Sequence, residues 1–179
     1  MADYSQISAP DLQARIRERY RSQAAALDAL GFRHLAFCLE LMGPFSAVLQ
    51  FLVLILARCH RELLVVRSPL RLGTVYPLLA QSDPPSIALC MGMGVKFYTP
   101  FTDGTLLISS SFVSQATPKP GSRIVRLPPA ATLEDTWRAH KQRCLELLSD
   151  ARRLRGAVGF SDYVEMSRLE EDMAQYELG

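Results

Sequence analysis

The stretch VKFYTPFTDGTLLISSSFV, Val95 to Val113, carries the clearest β signal in the 179-residue chain. Two runs rich in β-branched and aromatic residues flank Asp103-Gly104, the preferred pair for a two-residue type I′ hairpin turn. That turn sets a register. Thr102 falls opposite Thr105, Phe101 faces Leu106, Thr99 faces Ile108 and Val95 faces Phe112. One face is then mostly apolar, with Phe97, Phe101 and Phe112 on it, and the other carries Lys96, Tyr98, Ser109 and Ser111. Pro100 cannot donate to a ladder and belongs at an edge or bulge.

Working outward toward the C-terminus, residues 117–122 read as a Pro/Gly loop and Ile124 to Leu127 as a last strand stopped by Pro128-Pro129. A helix starts at Thr132, with Asp135 three residues on. Its stripe is Leu133, Trp137, His140, Cys144, Leu147, Leu148, Ala151 and Leu154, and Gly156 ends it. A final helix over about 161–177 shows Met166, Leu169, Met173 and Tyr176 at alternating three-four spacing. Glu170, Glu171 and Asp172 read as its solvated face or a docking surface.

Toward the N-terminus, Ile87 to Met91 is a strand, and Gly92-Met93-Gly94 is a bulge or tight connection. Residues 67–85, cut by Pro69, Gly73, Pro77, Pro84 and Pro85, read as loop with a short strand. Residues 32–39 alternate without a clear polar face, which fits a strand buried on both sides or a lead-in to the apolar segment. One helix runs from Pro10 to about Leu30, with a capping-box-like Ser8 and Asp11 and a stop at Gly31. Its arginines flank the stripe Leu12, Ile16, Tyr20, Leu27 and Leu30: Arg15 and Arg19 on one side, Arg17 and Arg21 on the other. They suit either a solvated helix or a membrane surface.

Leu41 to Ala57 carries no charge, and most of its residues are Leu, Ile, Val or Phe. Ten such residues favour insertion by about 3–6 kcal/mol in total, partly offset by Gly43, Pro44, Ser46 and Gln50. Seventeen helical residues reach about 25 Å, against roughly 30 Å of hydrocarbon. The apolar positions go round the whole helix, so membrane contact is favoured over a buried core helix. The expected contacts are Phe45, Val48, Leu49, Phe51, Leu52 and Ile55, with Arg15, Arg19, Arg58 and Arg61 as interfacial cations. A single crossing is excluded if the strand near Phe32 joins the sheet of the 95–113 hairpin.

Composition narrows the function classes. The length suits a single domain over 1–179. A net charge of +2 gives no argument for a nucleic-acid partner. Cys38, Cys59, Cys90 and Cys144 show no Cys-x2-4-Cys pair and read as reduced core thiols. His34, His60 and His140 share no metal-ligand spacing, and His140 reads as a core histidine. Gly92-Met93-Gly94 lacks the third glycine and following helix of a dinucleotide site. Ser109 to Ser111 lack a Gly-x-Ser-x-Gly frame, and Asp103 reads as a turn residue. No catalytic residue, metal or cofactor is expected. The polar start, Met1 to Pro10, is not a secretory signal, so the folded part is expected in the cytoplasm.

Leu30-Gly31-Phe32-Arg33 after a helix, Lys96-Phe97-Tyr98-Thr99 through Asp103-Gly104-Thr105, and Trp137 with His140 in a later helix together resemble a loose group of small uncharacterised bacterial proteins. The resemblance implies an α+β fold and carries no activity.

The expected architecture is therefore α+β: a small antiparallel sheet built on the 95–113 hairpin, an N-terminal helix, two C-terminal helices and one apolar, membrane-contacting helix. The expected role is a membrane-associated, non-catalytic accessory or adaptor protein that contacts membrane lipid and a larger protein assembly. The alternative is a soluble or peripheral binding module, with or without enzymatic activity, whose apolar pocket takes a lipid-like ligand.

Overall fold

A computed structural model of the chain describes residues 3–41, 65–68, 71–92, 94–112, 123–130, 132–149 and 152–175. Among these residues the elements run β1 (Asp3–Gln6), α1 (Pro10–Arg19), α2 (Arg21–Ala29), β2 (Arg33–Leu41), β3 (Val65–Ser68), β4 (Arg71–Ser82), β5 (Pro85–Met91), β6 (Gly94–Pro100), β7 (Leu106–Ser110), β8 (Ile124–Arg126), α3 (Leu133–Leu147) and α4 (Phe160–Gln175). The strands form one eight-stranded sheet in the order β1-β2-β4-β5-β6-β7-β8, with β3 beside β4. The β7–β8 pair is parallel and the other pairs are antiparallel. This overturns the expected small antiparallel sheet with three helices, while the expected apolar helix over 41–57 lies, beyond Leu41, outside the described residues. The described fold is sheet-rich and mixed, with four helices.

The sheet was underestimated because its longest strand, β4, is interrupted in sequence by Gly73 and Pro77. Pro77 pairs with Phe37 of β2 and lies between the part of β4 that pairs β3 (71–74) and the part that pairs β5 (78–82). A missing N–H is tolerated where a ladder changes partner. The polar residues of β1 gave no alternation to read, yet they pair along β2 from Asp3↔Leu41 to Gln6↔Cys38.

The central hairpin is also one residue out of the expected register. Phe97 pairs Ser109, Thr99 pairs Leu107 and Pro100 pairs Leu106. The turn holds three residues, Thr102 to Gly104, closed by Phe101 N–H to Thr105 O at 2.9 Å and Gly104 N–H to Phe101 O at 3.1 Å. A type I′ turn needs positive φ at both central residues. Only glycines adopt it among the described residues, and Gly104 (φ +80°) does so while Asp103 does not. Asp103 instead accepts from Thr105 N–H (2.9 Å) and from Arg152 Nε (2.7 Å). Burial pushes its carboxyl up, but hydrogen bonds from Arg152 and then Thr105 outweigh that and hold it at about 2. The one-residue slip moves Ser109 onto the face of Phe97 and Leu106 and Ile108 onto the face of Tyr98.

The expected first helix is two. It breaks at Tyr20 (φ −101°, ψ 17°) between α1 and α2. Ala9 rather than Ser8 stands at the start of α1, with no side-chain cap, and Pro10 fills the first turn. The end of α2 follows the expected glycine stop. Phe32 N–H bonds Leu27 O and Gly31 N–H bonds Asp28 O, both at 3.0 Å, while Gly31 takes φ +91°. This is a Schellman ending, with Leu27 and Phe32 both buried. A Cβ at Gly31 would meet only Gln81 at ordinary contact distance, so the cost of Gly31→Ala is conformational. It is expected to destabilise by about 1–2 kcal/mol in urea unfolding with an unchanged m-value. An unaltered midpoint would refute the role given to this residue.

Helix α3 starts as expected, with Thr132 Oγ1 accepting from Asp135 N–H at 3.0 Å. It stops at Leu147, well before Gly156. A turn pairs Ser149 with Arg152, and Leu154 then bridges Phe101. Leu154 continued the helical period in sequence but pairs with the sheet instead, while Leu148 is exposed.

Helices cover both faces of the sheet. On one face α1 lays Arg17 over Phe37, and α3 sets Trp137 against Phe97 and Phe32 at 5.1 and 4.8 Å between ring centroids. On the other, α4 sets Tyr163 against Tyr98 and Tyr76. Phe32, Phe37, Phe97, Tyr98 and Trp137 are all buried. Two-sided cover explains why 32–39 and 87–91 lack a polar face. Among the described residues no helix is long and apolar enough to cross a membrane. The apolar segment beyond Leu41 lies outside the described residues. The strands described before and after it flank β4, with Leu41 of β2 paired to Gly73 and Val65 of β3 paired to Thr74. β2 shares the sheet of the hairpin, so a single crossing between them is excluded.

Candidate functional site

Among the described residues, three polar constellations sit against this sheet. The first is formed by α3 and the hairpin. His140 is fully buried, with Nδ1 2.7 Å from Ser109 Oγ and Nε2 2.8 Å from Thr99 Oγ1, which in turn lies 2.6 Å from Ser86 Oγ. A serine on a histidine suggests a nucleophile and its base. Here Ser109, Thr99 and Ser86 are all buried and both ring nitrogens are occupied, leaving no approach for a substrate. Burial pulls the imidazole down to about 3, so it is neutral. The cluster satisfies polar groups inside a core. The one-residue slip of the hairpin is what brings Ser109 to it.

The second lies between α4 and the opposite face. Glu170 accepts from Lys96 Nζ (2.8 Å), Tyr98 Oη (2.8 Å) and Arg126 (3.1 Å), with all three charged side chains 12–16% exposed. Tyr76 Oη donates to Glu40 at 2.5 Å and lies 3.0 Å from Tyr163 Oη, and Tyr4 donates to Glu171. Burial drives the Tyr4, Tyr76, Tyr98 and Tyr163 phenols well above their ordinary range, which keeps them donors. Burial likewise raises Glu40, against the Tyr76 hydrogen bond that lowers it. Sequence reading placed Glu170 and Glu171 on a solvated face. The cations paired with Glu170 are 44 and 74 residues away in the chain, and Glu171 meets Tyr4, 167 residues away. Every carboxylate here has its phenol, so the network clamps α4 to the sheet.

The third is a groove where α1 and α2 cross β2 and β4. It encloses about 610 Å³ and is lined by Ala14, Arg17, Glu18, Tyr20, Arg21 and Ala24 of the helical side and by His34, Phe37, Pro77 and Leu79 of the sheet. The break at Tyr20 turns α2 relative to α1 and lets both helices contribute. Phe37 and Leu79 form a buried apolar floor. Arg17 lies over the Phe37 ring at 5.3 Å, and the His34 ring, tilted by 46°, has its centroid 4.3 Å from that of Phe37. Burial, then the Arg17 charge, lower the His34 pKa. Arg21 is paired with Glu18 on the rim. A cation on an aromatic ring is worth about 0.5–1 kcal/mol at an exposed site and about 2 kcal/mol or more where the pair is desolvated. A charged hydrogen bond to an anion is worth about 1.5–3 kcal/mol. Arg17 covers the buried Phe37 ring at the edge of the groove.

Of the expected interfacial cations, Arg15 is exposed on α1 and Arg19 is half-buried, and neither lines the groove. Arg58 and Arg61 lie outside the described residues, as do Phe45, Val48, Leu49, Phe51, Leu52 and Ile55. The expected lipid and assembly contacts rest on these residues. The apolar hairpin face taken as a pocket wall is closed: Phe97 packs under Trp137, and Phe101 packs with Leu107 and Cys144. Among the described residues no group of three His, Cys, Asp or Glu side chains could hold a metal ion. The groove was missed because its two walls come from 14–24 and 34–79, and only packing joins them. Arg17 and Arg21, on the same side of the first helix, were its sole trace in sequence.

No family model, curated protein or solved structure matches the chain.

Proposed function

We propose that the protein is a non-catalytic binding module, and that its groove between α1–α2 and β2–β4 takes a lipid-like ligand whose apolar body lies on Phe37, Pro77 and Leu79. The observation that carries this reading is the groove itself: about 610 Å³ with an apolar floor and a polar rim, within the roughly 300–1,000 Å³ of small-molecule sites. The Ser109–His140 pair is sealed, and the Tyr–Glu network is saturated with internal partners. Of these three constellations among the described residues, the groove is the one with room for a ligand.

The test is to fill it. Ala24 lines the groove, whereas the neighbouring Ala25 is exposed and does not. Ala24→Trp is expected to weaken binding of an environment-sensitive fluorescent fatty acid by on the order of tenfold or more, about 1.4 kcal/mol. Ala25→Trp should bind as the parent does. A parent protein with no saturable signal, or two variants that behave alike, would remove the reading.

A further inference from the structure

We infer that the ligand's head is a single negative charge on an alkyl chain, received by Arg17 and His34 at the rim while the chain takes the Arg17 guanidinium's place on Phe37. The inference rests on the groove being a ligand site. Two observations on the groove carry it. Arg17 makes no ion pair with a carboxylate among the described residues and is held over an aromatic ring instead. Arg21 is already matched by Glu18. Among the groove-lining residues this leaves Arg17 as the uncompensated cation, so a monoanion balances the site.

The same geometry makes binding proton-linked. The charged groups facing His34 come from the helical side, as Arg17, Glu18 and Arg21, while β4 offers Pro77 and Leu79. With the groove empty, desolvation and the Arg17 charge disfavour the imidazolium. An anion between Arg17 and His34 favours it. The complex therefore takes up a proton, and affinity rises as pH falls through and below the ordinary histidine range. This sign is opposite to that of a neutral imidazole ligating a metal.

The experiment titrates the full chain, below micellar concentrations, with decanesulfonate, decanoate, decyl phosphate, decanol, decyltrimethylammonium and methanesulfonate. The sulfonate stays ionised at every pH used. Decanesulfonate and decanoate are expected to bind on the order of tenfold tighter than decanol. Decyltrimethylammonium should bind more weakly than decanol, and tail-free methanesulfonate should not bind. Decyl phosphate binding more tightly than decanesulfonate at about pH 8, where it carries a second charge, would argue against a monoanion site. Arg17→Gln should abolish the preference for sulfonate over decanol, and a preference that persists in this variant would overturn the head assignment. Between about pH 8 and about pH 5.5 the sulfonate should tighten several-fold, and His34→Gln should flatten that profile. Equal affinity for sulfonate and decanol, or methanesulfonate binding on its own, would overturn the head assignment while leaving the groove reading to stand or fall separately. Failure of every chain-bearing compound to bind would overturn both.

Discussion

Replacing Glu170 by alanine is expected to cost about 3 kcal/mol, the lower end of the usual penalty for breaking a buried ion pair from one side. Three donors lose their acceptor at once: Lys96, Arg126 and the Tyr98 phenol, all held within 2.8–3.1 Å. Lys96 and Arg126 are 16% and 12% exposed at the side chain, and Tyr98 is buried. Glu170→Gln keeps an acceptor for Tyr98 but removes the charge, so it should fall between the parent and the alanine variant. Urea midpoints at constant m-value would check this. An alanine variant within about 0.5 kcal/mol of the parent, typical of an exposed helix residue, would restore the solvated-face reading and detach α4 from the argument.

Stability is expected to fall as the pH drops below about 6.5, because His140 is neutral when folded and free to charge when unfolded. The sign follows from the two values. The ordinary histidine lies at 6.5 and the folded one at about 3, so over that window the unfolded chain holds the extra proton and stability rises with pH. One proton corresponds to about 1.4 kcal/mol for each pH unit, hence about 2 kcal/mol between pH 6.5 and pH 5. Glu40 and His34 also carry shifted values, so the informative quantity is a difference between variants. His140→Asn should be less stable than the parent at pH 7, since it replaces a ring bonded to Ser109 and Thr99. Its stability should also change less with pH across that window. Parallel pH profiles for the two proteins would be incompatible with a buried neutral imidazole.

Some parts of this architecture were decided locally and could be read in the chain. Gly31 stops a helix because only glycine enters φ +91° cheaply there. Thr132 and Asp135 start one because their groups meet within a single turn. The hairpin around Gly104 formed because both its strands are near neighbours in sequence. Each signal involves residues a few positions apart, and short-range sterics suffice to fix it.

What the chain alone left open depended on partners distant in sequence. Strand β4 survives Gly73 and Pro77 because β2, β3 and β5 hold it from both sides. Ser109 faces His140, and Glu170 faces Lys96 and Arg126, because helices pack on both faces of the sheet at these positions. The groove exists only where 14–24 meets 34–79. A sequence states which residues are apolar or charged. Which of them share a surface is set by the packing of whole elements, since the free energy of burial belongs to the assembled layers and not to any one segment.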